Sequence, residues 1–171
     1  MSESLENFTN IVKEDIKEAK TLFFSEAFKE EYLKDRREEK ELYHQLLLGR
    51  NRNQILEEFL LSSGQKKPVL LSAAKTIYQA TIMNLDEPLE IKVKREGWGY
   101  LVGRIKSDGT FLSLHKNTFQ AEDFEDGTLT IYADMKTIPK DGDIDHLIIQ
   151  TVYQTLQIEV CLLYTSDAAD E

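Results

Sequence analysis

The spacing of apolar residues changes near residue 66, and that one change divides the chain into a helical block followed by a sheet-forming block. Before it, Phe8, Ile11, Val12, Ile16, Ala19, Leu22 and Phe23 recur every three or four residues, which lines them along one side of a helix. After it, Leu89, Ile91 and Val93 alternate with Glu90, Lys92 and Lys94, so a strand there buries one face and wets the other. Helices and strands in separate runs of sequence indicate an α+β chain.

Within residues 1–66 the pattern predicts three helices. The first carries the stripe from Phe8 to Phe23. The second opens with Phe28, Tyr32 and Leu33, closes with Leu42, Tyr43, Leu46 and Leu47, and passes through the charged run KDRREEKE at 34–41, which suits a solvated helix surface with opposite charges a turn apart. Gly49 is placed to end it in the left-handed conformation common just past a helix C-terminus. Asn51, with Gln54 three residues on, can cap a third helix whose stripe is Ile55, Leu56, Phe59 and Leu60. A helical unit this short holds only a small core, so Phe8, Phe23, Tyr32, Leu47 and Phe59 are expected to pack on one another or on the sheet. Ser62 to Pro68 joins a glycine stop to a proline that cannot continue a helix, and reads as a linker.

Seven short strands are expected beyond it, at 76–83, 89–94, 100–106, 110–114, 128–132, 147–152 and 155–160. Asp108-Gly109, Asp126-Gly127 and Asp141-Gly142 supply turns between several of them. So many strands with no helical pattern between them indicate an antiparallel sandwich, with an open barrel as the alternative.

The run from Gly97 to Val160 resembles the immunoglobulin-like sandwich modules of bacterial multidomain proteins, a group that includes the Bacteroides-associated carbohydrate-binding-often-N-terminal type. The resemblance rests on GWGYLVGRIKSD, TFLSLHKNTF, LTIYAD, MKTIPKDG and HLIIQTVYQTLQIEV in that order. It implies an immunoglobulin-like β-sandwich over 67–160. The whole arrangement, with LLLGRNRNQILEEFLLSSG ahead of the module, also resembles the N-terminal region of large uncharacterised bacterial proteins. That resemblance brings no known activity.

Residues 161–171, CLLYTSDAADE, resemble translated sequencing adapter, so the expectation is a non-native tail after Val160 with no turn or core logic. Setting it aside removes Asp167, Asp170 and Glu171, so that 31 acidic residues become 28 against 21 basic ones and the net charge moves from −10 to −7. An acidic chain lacks the clustered Lys and Arg that bind phosphate backbones, which argues against a nucleic-acid partner. The only cysteine, Cys161, falls in the same segment, leaving no thiol for a disulfide, a nucleophile or a thiolate metal site. Glu3, Glu6, Glu14, Asp15 and Glu18 do not form a secretory signal, and no apolar run approaches a membrane span, so a cytoplasmic setting is expected with no membrane partner.

Few residues offer chemistry. His44, His115 and His146 lie in separate predicted elements and read as ordinary, partly buried histidines. No serine sits in a Gly-x-Ser-x-Gly elbow. Gly97, Gly99 and Gly103 lack the spacing of a phosphate loop and read as glycines of an antiparallel strand, where close backbone approach or a bulge needs them. Asp141, Asp143 and Asp145 could present oxygens to calcium, yet the twelfth position of an EF-hand loop would be Val152, which has no carboxylate to give. Glu122, Asp123, Glu125 and Asp126 read as a solvated loop. Catalytic, cofactor-binding and metal residues are therefore expected to be absent.

Aromatics form the one candidate ligand site. Trp98, Tyr100, Tyr132 and Tyr153 could stack on a sugar if they share a sheet face, although packing at the core edge accounts for them more simply. In the strand from Tyr100, Leu101, Gly103 and Ile105 share one face, so if that face is core, Tyr100 lies outside it. The functional expectation is a non-enzymatic spacer or protein-interaction region at the N-terminus of a larger protein, whose partner is another protein or its own downstream domains. The alternatives are a carbohydrate-binding module, or the front end of an enzyme whose catalytic domain lies beyond Val160.

Overall fold

In a computed structural model of the chain, residues 4–81, 87–108, 111–135 and 144–163 are described. The chain separates into two units: 1–68 together with Trp98–Tyr100, and 69–97 together with 101–171. Trp98, Gly99 and Tyr100 thus count with the helices although they lie between two strands in sequence.

The first unit has five helices, α1 Leu5–Glu14, α2 Ile16–Phe23, α3 Glu26–Tyr32, α4 Arg37–Leu46 and α5 Arg52–Ser62, where the periodicity predicts three. Asp15 makes the first break. Its backbone is extended (φ −147°, ψ 91°) and its side chain accepts from Glu18 N at 3.1 Å, because aspartate stabilises a helix more as a cap than from its interior. The break leaves Ile16 exposed while Phe8, Val12, Ala19 and Phe23 stay buried. The second break follows Leu33, which turns fully into the core, and α4 resumes after Arg36, so the charged run is only partly helical. Asn51 caps α5 as its position predicts, accepting from Gln54 N at 3.1 Å, while the Gln54 amide donates to Glu58 Oε1 at 2.8 Å. Gly49 does not adopt a left-handed conformation; α4 already ends at Leu46, and Gly49 N donates to its carbonyl.

Phe8, Phe23, Phe28, Tyr32, Tyr43 and Phe59 interlock at the centre of this unit, with Phe28 at 4.7 Å from Phe8 and 4.9 Å from Phe23 between ring centroids. Leu47 departs from the expected packing and lies on the surface beside Leu48. The Tyr43 hydroxyl donates to the Phe23 carbonyl. Burial, and secondarily the Glu26 carboxylate, raise the Tyr43 pKa above the ordinary tyrosine value.

The second unit has nine strands among the described residues: β1 Leu70–Ala73, β2 Ile77–Thr81, β3 Leu89–Glu96, β4 Val102–Ser107, β5 Leu112–Leu114, β6 Thr118–Gln120, β7 Thr128–Met135, β8 Ile144–Gln150 and β9 Thr155–Leu163. They form two sheets, ordered β1-β3-β7-β5 and β2-β9-β8-β4-β6, whose inward side chains share one apolar core. Ile91, Val93, Ile131 and Ala133 come from the first sheet and Ile105, Leu147, Ile149, Ile158 and Val160 from the second. The expectation of uniformly antiparallel strands is corrected at one pair: β2 runs parallel to β9, Ile77 opposite Glu159 and Tyr78 opposite Val160. Strand alternation fixes which face is buried but carries no information on direction.

Asp126 and Gly127 both take positive φ (52° and 77°) and close a tight turn between Glu125 and Thr128, as an Asp-Gly pair favours. Gly97 and Gly99 lie in the β3–β4 connection instead of a strand, with φ of 104° and 101°. Gly103 alone is in β4, where a Cβ would collide with the Phe119 ring and the Gln150 carbonyl. The segment set aside as a tail is part of β9 as far as Leu163: Cys161 lies opposite Gln79 and Ile144, and Leu162 is buried in the core. The expectation that it has no core logic therefore does not hold for Leu162. Residues 164–171 lie outside the described residues.

Candidate functional site

The most constrained polar group of the helical unit grows from an odd position in α5. Ile55, Leu56, Phe59 and Leu60 are buried there, and so is Glu57 between them. Its partner is Lys66, in the segment that composition reads as a linker; the side chains are 3% and 0% exposed. The Lys66 ammonium donates to both carboxylate oxygens and to the Trp98 carbonyl. Its Nζ lies 4.4 Å from the centre of the Trp98 ring, with Lys13 Nζ at 5.1 Å, cation–π distances that attract the ammonium to the ring face. Trp98 also packs on the apolar cluster of the helices. Asn51 Nδ2 donates to the Tyr100 hydroxyl at 3.3 Å. Trp98 and Tyr100 are both half-buried.

Tyr132 and Tyr153 lie in the other unit, so the four predicted aromatics are divided two and two. Tyr132, on β7 opposite Glu90, is 40% exposed. The His115 ring stacks nearly parallel to it, 6.0 Å between centroids, and His115 Nε2 is 2.9 Å from Asp134 Oδ2. Beside them a groove of about 250 Å³ has Ile105, Phe119 and Leu129 on its floor and Lys116, Thr118 and Asp123 on its rim. That is below the roughly 300–1,000 Å³ of a typical small-molecule pocket. Tyr153 is half-buried in the β8–β9 turn, its amide donating to Thr151 Oγ1 at 3.1 Å.

The aspartate triplet resolves differently from a cation loop. Asp141 and Asp143 lie outside the described residues, whereas Asp145 is fully buried on β8. Its Oδ1 accepts from Asp108 N at 3.1 Å and His146 N at 2.7 Å, and its Oδ2 from Phe111 N and Leu112 N, each at 3.0 Å. Four amides thus stabilise the carboxylate, whose work is to hold the chain entering β5. Among the described residues no group of three or more His, Cys, Asp or Glu is arranged to hold a metal ion. His44 and His115 are exposed, contrary to expectation, and His146 is half-buried with Nδ1 2.8 Å from Asp108 Oδ2. Sequence reasoning missed Glu57, Lys66 and the buried role of Asp145. The available signal was a glutamate inside an apolar helical stripe. No helix among the described residues is long and apolar enough to cross a membrane.

Solved structures resemble this chain only distantly. The Bacteroides ovatus GH5 xyloglucanase matches at 7% identity and a TM-score of 0.42, covering 58% of this chain and 19% of that one. The E. coli chaperone DraB matches at 5% identity and a TM-score of 0.46, covering 57% and 56%. Domains 4 and 5 of the S-layer protein SbsC match at 12% identity and a TM-score of 0.38, covering 55% and 51%. The matches therefore span less than two thirds of each of those chains. No curated protein matches. The profile of the family of unknown function DUF5717, N-terminal part, covers residues 2–170, and the chain belongs to that family.

Proposed function

We propose that this chain is a non-catalytic spacer or protein-interaction region at the N-terminus of a larger cytoplasmic protein, its second unit an immunoglobulin-like β-sandwich. The observation that supports this most directly is the outward side of the five-stranded sheet, where Ile77 on β2 and Ile144 on β8 are about half exposed, with β9 between them. Apolar side chains held out from an ordered sheet face give a protein partner surface to bury. The buried carboxylates, Glu57 and Asp145, are engaged by Lys66 and by backbone amides, which fits a structural role. The test is cross-linking with mass spectrometry on the longer native protein. Links from Lys106, on the same outward face, to a downstream domain or a second protein are expected, and Ile77→Lys with Ile144→Lys should remove them while the sheet content by circular dichroism is kept. Substrate turnover by residues 1–163 alone would overturn the reading.

Tyr132 favours carbohydrate as a second reading, because an exposed ring stacked on His115 beside a polar-rimmed groove can cover one face of a sugar. Titration calorimetry against a panel of soluble oligosaccharides decides it: binding that Tyr132→Ala abolishes supports it, and no heat from any member removes it.

A further inference from the structure

Two glycines bracket Trp98, and both are in the left-handed region, Gly97 at φ 104° and Gly99 at φ 101°. A side chain at either would strain the backbone. Gly99 has a second reason to be glycine, since a Cβ would stand 2.6 Å from Lys66 Nζ and 3.3 Å from Glu57 Oε1. The ion pair and this short stretch of backbone are therefore built against each other. Lys66 gives one donor to the Trp98 carbonyl and stands over its ring, while Glu57 supplies the opposite charge.

Such a pair is an unusual way to stabilise a helical unit. Desolvating two charges offsets most of their attraction, and apolar side chains of similar volume commonly do as well or better, whereas removing one partner alone leaves a costly buried charge. What an apolar pair cannot do is donate to a carbonyl and draw an indole ring by its charge.

We propose that Glu57 and Lys66 form a latch that sets the position of the Gly97–Gly99 strap and its indole, and that the pair contributes position instead of net stability. Lys66 acts directly on Trp98, Glu57 acts through Lys66, and the two glycines give the strap the backbone shape the latch requires.

Trp98 is the only tryptophan of the chain, so its emission reads the strap without a label. In the full chain, Glu57→Leu with Lys66→Met is expected to keep the thermal midpoint and helical circular dichroism at or above the parent. Its Trp98 emission should shift to the red, and acrylamide quenching should rise toward that of a free indole. Gly99→Ala keeps both charges but displaces the strap, and should give the same two spectroscopic changes. The proposal fails if the double variant loses helical signal or midpoint, which would make the pair a stabilising one. It fails equally if either variant leaves Trp98 emission and quenching as in the parent.

Discussion

The core of the helical unit centres on a cluster of rings and that of the sheet unit is mostly aliphatic, and each choice follows from how its elements are joined. Helices of 7 to 11 residues are marginal alone, so they depend on tertiary contacts, and aromatic rings bury the most apolar surface per residue. Six rings meet within about 6 Å of their neighbours. The strands are tied by long ladders, β3 to β7 and β8 to β9 above all, and the core between the sheets is mostly aliphatic, with Tyr78, Phe111 and Phe119 among its buried residues. The units also bury charge differently. One sets a carboxylate against an ammonium, the other sets a carboxylate against four backbone amides.

Cutting the ring cluster is the strongest way to break that contrast. Phe28 touches five other rings, and Phe28→Ala is expected to cost about 3–5 kcal/mol, the usual range for deleting a buried ring. The readout is the urea midpoint of the helical signal; an unchanged midpoint would show that the rings are interchangeable filling. Asp145→Asn tests the other unit more gently. Whichever way the amide faces, its NH₂ meets two backbone donors that the carboxylate accepted, so a loss of about 1.5–3 kcal/mol is expected. Amide exchange at Phe111 and Leu112 should quicken, and protection equal to the parent would refute the assigned role. The smallest effect is the pH dependence of the helical unit. Tyr43 has its pKa raised in the folded chain, so above about pH 10, the ordinary tyrosine value, the unfolded chain gives up this proton while the folded chain keeps it. Stability from this group is complete below that pH and is lost as pH rises through the folded value. Alkaline titration of the thermal midpoint should slope downward there and flatten in Tyr43→Phe; identical slopes would exclude Tyr43 as the source.

What could be read from the sequence was whatever repeats. The stripe from Phe8 to Phe23, the Asn51 cap and the alternation of β3 all follow from periods or from a local cap, and the structure has them in place. Asp15 was hidden because a cap inside an apolar stripe leaves the stripe intact. β1 and β6 were missed because four and three residues are too few to show an alternation. Lys66 was read as linker from its neighbours Gly64, Gln65 and Pro68, although burial of a lysine is decided by a partner elsewhere in the chain. Asp145 failed for the same reason. Three aspartates in alternation look wet, and only the distant amides of Phe111 and Leu112 make one of them dry. Of the four aromatic candidates, Tyr132 was placed by its strand pattern, and the structure has it on β7, whereas no local pattern assigns Trp98 and Tyr100 to the helices.

The parallel pairing of β2 with β9 sets an order of assembly on the ribosome. Ile77 and its partner Glu159 are 82 positions apart, so at roughly 5–20 residues per second β2 is synthesised about 4–16 s before the strand it needs. During that wait its backbone donors and acceptors are open to any extended chain nearby. β9, made after both, pairs with Ile144–Gln150 on one side and with β2 on the other, so β2 joins this sheet only in a late step.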